Sequence, residues 1–121
     1  MGSVRVHSLD RERVLAALRA LAATMAEQRP EVQEVRLFGS LARGTRNPYA
    51  DADILVILDR SDVAFRDRSP VYKPVGAPVP TDVLVCTQDE LEQELAAGNA
   101  FLMQVLAESI VLYRRKEPGR S

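Results

Sequence analysis

The chain has 121 residues, 46% hydrophobic and 27% charged, with 16 Lys and Arg against 17 Asp and Glu for a formal net charge of -1. That length supports one hydrophobic core rather than two, and the balanced charge gives no basic footprint for bulk nucleic-acid binding. The single cysteine, Cys86, excludes an internal disulfide and a cysteine-only metal site. No apolar run approaches the roughly 20 residues of a membrane span, and no signal-peptide core is visible, so a reducing cytoplasm is the expected location. Met1-Gly2 opens like a myristoylation site, but Val6 stands where Ser or Thr is required.

From Ser8 to Gln28, Val14, Leu15, Leu18, Leu21, Ala22 and Met25 recur at helical spacing, and Asp10 and Glu12 sit near the positive end of the dipole. Pro30 stops this helix. Glu34 to Phe38 reads as a short strand, which Gly39-Ser40 turns into a helix from Leu41. Thr45 to Ala50 is a polar loop with the turn signal Asn47-Pro48. Asp51 to Leu58 is a second strand, favoured over helix by its length and its Ile and Val content. Asp59 to Pro80, carrying Pro70, Pro74, Pro78 and Pro80, is a long crossover with at most a brief helix near Val63. Thr81 to Cys86 is a third strand. Thr87-Gln88-Asp89-Glu90 has capping-box spacing and starts a helix that ends at Gly98. Asn99 caps another helix containing Phe101, Leu102, Val105 and Leu106, and Ile110 to Tyr113 forms a last edge strand. One domain over residues 1–113 and a frayed polar tail over 114–121 are expected.

The chemistry concentrates between Leu37 and Leu58, "LFGSLARGTRNPYADADILVIL". Side chains alternate along a strand, so Asp51 and Asp53 share one face while Ile54, Val56 and Leu58 occupy the other. Two carboxylates about 4 Å apart repel by about 4 kcal/mol at an effective dielectric near 20, and a bound cation would compensate. Parallel strands need a crossover of a dozen or more residues, which 59–80 supplies. With the second and third strands parallel, Asp82 falls beside Asp51 and Asp53. With the first strand antiparallel to the second, Gly39-Ser40 arrives at the same edge. Carboxylates are hard ligands suited to Mg²⁺ together with substrate phosphates. Gly39 lets the backbone approach a phosphate, and Ser40 and the amides of the next helix face the same anion. Two metals there would clamp an in-line displacement, which is nucleotidyl or phosphoryl transfer. Arg43 is expected on the triphosphate, on a carboxylate or in solvent. Tyr72 and Lys73 are read as surface-loop residues, His7 as exposed and Cys86 as a small core residue.

"GSLARG", "DADILVIL" and "TDVLV" resemble the polymerase-β-type nucleotidyltransferase superfamily. Within it, the chain is most similar to the minimal nucleotidyltransferases that partner HEPN-domain toxins in toxin–antitoxin pairs. The resemblance implies magnesium on Asp51 and Asp53, a catalytic site completed by Asp82, and a nucleoside triphosphate held by Gly39 and Ser40. Ala50 stands where the family usually has Ser, and the proline-rich stretch before Asp82 departs from the usual spacing.

The expected architecture is a two-layer α+β domain, with helices on one face of a small mixed sheet and the carboxylates on the other. The expected function is Mg²⁺-dependent transfer of AMP from ATP to a hydroxyl of a partner protein, the HEPN toxin, with this chain as antitoxin. A non-catalytic module that neutralises the toxin sterically is the alternative from another class. Transfer to an RNA end or a small molecule is disfavoured because no second substrate domain is visible.

Overall fold

A computed structural model of the chain describes residues 8–44 and 51–116. The expected loop from Thr45 to Ala50 with its Asn47-Pro48 turn, the exposed His7, and the tail from residue 117 onward lie outside the described residues.

Helix α1 runs from Ser8 to Gln28. Leu15, Leu18, Ala22, Met25 and Ala26 are buried along one side, with Val14 and Leu21 at the margin, which is the stripe read from the sequence. Pro30 ends it by offering no amide donor and disfavouring helical backbone before it. Strand β1 spans Val32–Phe38, one-turn helix α2 Ser40–Arg43, and strand β2 Ala52–Leu58. β1 starts two residues earlier than its alternation suggests, because a bulge between Val32 and Glu34 resets the register. Val32 and Val35 can then both point into the core despite their odd spacing.

The crossover is more ordered than its proline content suggests. A 3-10 turn at Phe65–Asp67 leads into the one-turn helix α3, Arg68–Val71. Its anchor is Arg68, only 5% exposed. The Arg68 Nε donates to the Val63 carbonyl at 2.8 Å. Its two terminal nitrogens donate to Glu90 Oε1 at 2.6 Å and Oε2 at 3.1 Å, a fork-to-fork pair. Tyr72, read as a surface-loop residue, is instead core, 3% exposed. Its ring packs against the α1 side of the sheet, and its hydroxyl donates to Glu31 at the start of β1. The apolar body is buried while the polar tip finds a partner. Lys73 is exposed.

Strand β3, Thr81–Thr87, is followed by helix α4, Gln88–Ala96, and helix α5, Ala100–Glu108. The capping box closes as predicted: Glu90 N donates to Thr87 Oγ1 at 3.1 Å and Thr87 N donates to Glu90 Oε1 at 2.9 Å. Asn99 caps α5 by accepting from Leu102 N at 3.0 Å. Strand β4, Ile110–Arg114, completes a mixed sheet of order β3-β2-β1-β4, in which only β2 and β3 are parallel. The last strand runs one residue past the expected Tyr113. Arg114 lies within β4, and Arg115 donates to the carbonyls of Val32 and Ala26, both at 2.9 Å.

Helices cover both faces of the sheet, where the sequence suggested one. Ile54, Val56 and Leu58 of β2 pack with Val35, Leu37, Val85 and α1. Leu55 and Ile57, the alternate residues of the same strand, pack with Cys86 and with Val105 of α5, flanked by Phe38, Leu84, Leu91 and Leu106. A strand apolar at consecutive positions must be covered on both sides. Asp53 belongs to the α5 side, beyond the end of that second cluster.

Candidate active site

The register of the sheet assembles the site. Asp53 pairs with Asp82 across the parallel β2–β3 ladder, and on its other side it lies opposite Phe38, the last residue of β1. Neighbouring strands run about 4.8 Å apart, so the two carboxylates leave the same face of adjacent strands. Gly39 follows Phe38 directly and adopts φ 81°, ψ -162°, a conformation essentially reserved for glycine. A Cβ at this position would run into Asp53 Oδ2 and stand 3.1 Å from its Cγ. The missing side chain of Gly39 is therefore the space that the Asp53 carboxylate occupies.

The Asp53 carboxyl is held above the usual carboxylate range. Burial is the main cause, followed by repulsion from Asp82 and Asp51, with Arg43 opposing. Asp51 precedes β2 and is exposed, and Asp82 is exposed as well. Asp51 thus acts on Asp53 electrostatically, but among the described residues no three His, Cys, Asp or Glu side chains form a ready-made cation cage. The donor set nonetheless suits a hard divalent ion. Mg²⁺ commonly takes one or two protein carboxylates and completes its shell with water and substrate phosphate, and Asp53 and Asp82 supply two oxygens ligands of one sign on one face.

Ser40 opens α2 and is half-buried. This helix is a single turn, so its dipole adds little to anion binding. Its far end is fixed by Arg11 of α1, which the sequence did not single out. Arg11 Nε donates to the Leu41 carbonyl at 3.1 Å and its Nη2 to the Ala42 carbonyl at 3.0 Å, matching a cation to the negative helix end. Arg43 meets a carboxylate, one of the roles expected for it. Its Nη1 donates to Glu108 Oε1 of α5 at 2.7 Å, and Gln104 Nε2 donates to the other Glu108 oxygen at 3.0 Å. These two bonds hold the Glu108 carboxyl below its ordinary range, Arg43 first.

Phe38, Gly39, Arg43 and Asp53 line a cavity of about 210 Å³ whose other wall is Phe101, Gln104, Val105 and Glu108 of α5. The sequence shows Phe101 only as one of the apolar residues of α5. Phe101 is 55% exposed and meets Phe38 edge-on, with ring centroids 6.0 Å apart. The available signal was the spacing of Phe101, Gln104 and Glu108, which places all three on one helix face. A larger cavity of about 480 Å³, lined by Arg29, Asp59, Arg60 and Tyr72 among others, lies at the opposite ends of β1 and β2, away from the carboxylates.

The Gly39 turn, Asp53 and Arg43 line one cavity, and Asp82 stands in register with Asp53 on the adjacent strand. Among the described residues no helix is long and apolar enough to cross a membrane. No curated protein matches the chain significantly. Among solved structures, a candidate nucleotidyltransferase from Sulfolobus solfataricus is similar at a TM-score of 0.66 and 22% identity, covering 95% of this chain and 93% of that one. That likeness supports the α+β fold. The family model of the nucleotidyltransferase domain matches residues 18–115, a span that runs from within α1 past the end of β4 and includes both registered aspartates and the glycine turn. The chain therefore belongs to the nucleotidyltransferase domain family.

Proposed function

We propose that this chain transfers AMP from ATP to a hydroxyl of a partner protein, using Mg²⁺, and that it acts in the cytoplasm as the antitoxin of a HEPN-domain toxin. The observation that carries the transfer chemistry is the Asp53–Asp82 register beside a glycine whose absent side chain makes room for Asp53. The partner and the antitoxin role rest on the sequence resemblance.

Asp53 and Asp82, with Asp51 nearby, would hold the metal, which when bound would neutralise phosphate charge and polarise the α-phosphorus. Gly39 and Ser40 bring the backbone against the triphosphate. Arg43, once drawn from Glu108, can follow the negative charge of the departing pyrophosphate. The acceptor hydroxyl attacks the α-phosphorus, the bond to the bridging oxygen breaks, and pyrophosphate leaves. Asp82, exposed at the start of β3, would take the hydroxyl proton. The half-buried Asp53 is fixed between two strands and suits the holding role.

The test is incubation with α-labelled ATP, Mg²⁺ and the product of the neighbouring gene. Label is expected on the partner protein with the wild-type chain and none with Asp53→Asn. Neutralisation that survives Asp53→Asn without label would support the steric reading instead. Label on RNA or on a small molecule by this chain alone would overturn the protein-acceptor proposal.

A further inference from the structure

A second cavity, of about 350 Å³, lies on the α4–α5 side of the sheet and is lined by Phe65, Leu84, Cys86 and Leu102, with Glu90, Glu94 and Asn99 on its polar side. Phe101 belongs to its wall and also to the wall of the cavity holding Asp53. The two sites are therefore contiguous, joined at one aromatic ring. Phe65 and Phe101 are 56% and 55% exposed. Large exposed apolar side chains gathered at a groove mark contact surfaces rather than ordinary solvent-facing residues.

The charged side chains lining this groove, Glu90 and Glu94, have one sign. From Gln88 to Glu108 the chain carries Asp89, Glu90, Glu92, Glu94 and Glu108 and no lysine or arginine. Of the arginines beside Phe65, Arg68 is buried and committed to Glu90 and the Val63 carbonyl, while Arg66 is exposed outside the groove lining. A polynucleotide would be repelled here. A second copy docking by its own groove would set these acidic helices against each other. A protein segment with an apolar face flanked by lysine or arginine fits both the groove and its rim.

We propose that this groove docks such a segment of the acceptor protein, an amphipathic basic stretch that leads its hydroxyl past Phe101 toward Asp53. The inference rests on the reading that the acceptor is a protein. Helix-in-groove recognition of this kind takes its affinity from apolar anchors and its orientation from complementary charge.

The probe is a fluorescent synthetic peptide of about 18 residues, about five helical turns, with Leu and Phe on one face, Lys on both flanks and one Tyr. A matched peptide carries Glu in place of Lys. Anisotropy titration should show saturable binding of the basic peptide, weakened about tenfold by Phe65→Ser and about tenfold by Glu94→Lys, typical of an anchor and a rim charge. Both variants should bind ATP as the wild type does. Backbone amide shifts should localise the peptide to residues 84–86 and 99–102. Equal binding of the two peptides, no effect of either variant, or shifts elsewhere would overturn the proposal. Concentration-dependent dimerisation abolished by Phe65→Ser would overturn it in favour of a second copy. Addition of α-labelled ATP and Mg²⁺ separates the two ideas. A peptide that binds in the groove but takes no label leaves docking standing and counts against transfer to protein hydroxyls, whereas label without groove binding does the reverse.

Discussion

Replacing Gly39 with alanine tests the local geometry on which the candidate site depends. The residue sits at φ 81°, ψ -162°, where a non-glycine residue costs about 1–3 kcal/mol in backbone strain. The added methyl also collides with Asp53 Oδ2 and lies 3.1 Å from Cγ. Asp53 can relieve this only by leaving its rotamer, at a further cost of about 1 kcal/mol. The sum is a loss of about 2–4 kcal/mol, or a fall in Tm of about 10 °C for a chain of this size. Urea unfolding of four proteins (wild type, Gly39→Ala, Asp53→Ala and the double variant) separates the two contributions. The double variant should recover about 1 kcal/mol of the Gly39→Ala loss, because the collision disappears while the strain stays. Wild-type stability for Gly39→Ala, or strict additivity across the cycle, would refute the claim that glycine is needed here to seat the carboxylate.

Asp53→Asn should leave metal-free stability unchanged or higher. Because the folded pKa of Asp53 is raised by burial and by its acidic neighbours, its contribution is favourable only below the unfolded value and is lost as pH rises through the folded one. Thermal melts across pH 4–8 should show the variant gaining most at the upper end, and a clear loss there would make Asp53 a structural residue. Glu90 is the opposite case: the Arg68 hydrogen bond holds its carboxyl below the ordinary range. Its stabilisation is present above the unfolded glutamate pKa and fades as pH falls through the lowered one. Glu90→Gln should cost about 1–3 kcal/mol at pH 7, since it leaves the buried Arg68 guanidinium without its charge partner, and should flatten the acid limb of a stability–pH curve. Glu108→Gln frees Arg43 from its ion pair and should tighten ATP binding severalfold by calorimetry. Arg43→Ala should weaken it, and unchanged affinity in both variants would place Arg43 off the triphosphate.

The strand alternation and the capping signals carried most of the architecture. Two conditional readings, β2 parallel to β3 and β1 antiparallel to β2, brought Asp82 and Gly39 to Asp53 once the sheet formed. The capping box at Thr87 and the cap at Asn99 were legible because each depends on a few neighbouring residues. What escaped depended on contacts distant in sequence. Arg68 reads as an exposed loop arginine until Glu90 folds against it. Arg11 reads as a polar helix residue until α2 arrives beside it. The apolar run of β2 does not reveal whether one helical layer or two will cover it, so α5 was not seen as a wall of the Asp53 cavity. The Val32–Val35 spacing defeated a simple period of two because a bulge absorbs the extra residue.

The clamp of Arg11 on the carbonyls of Leu41 and Ala42 also has a kinetic side. One turn of helix between Gly39 and Gly44 has too few internal hydrogen bonds to persist by itself. Its resistance to local opening is thus borrowed from α1, whose Leu15 and Leu18 anchor the helix that carries Arg11. The amides of Arg43 and Gly44, bonded to the Gly39 and Leu41 carbonyls, should exchange with solvent deuterium at a rate governed by release of this guanidinium. Arg11→Ala should accelerate their exchange while leaving protection in the β1–β2 ladder intact. The lifetime of the closed turn is then set by α1, the helix against which Leu41 packs, without global unfolding.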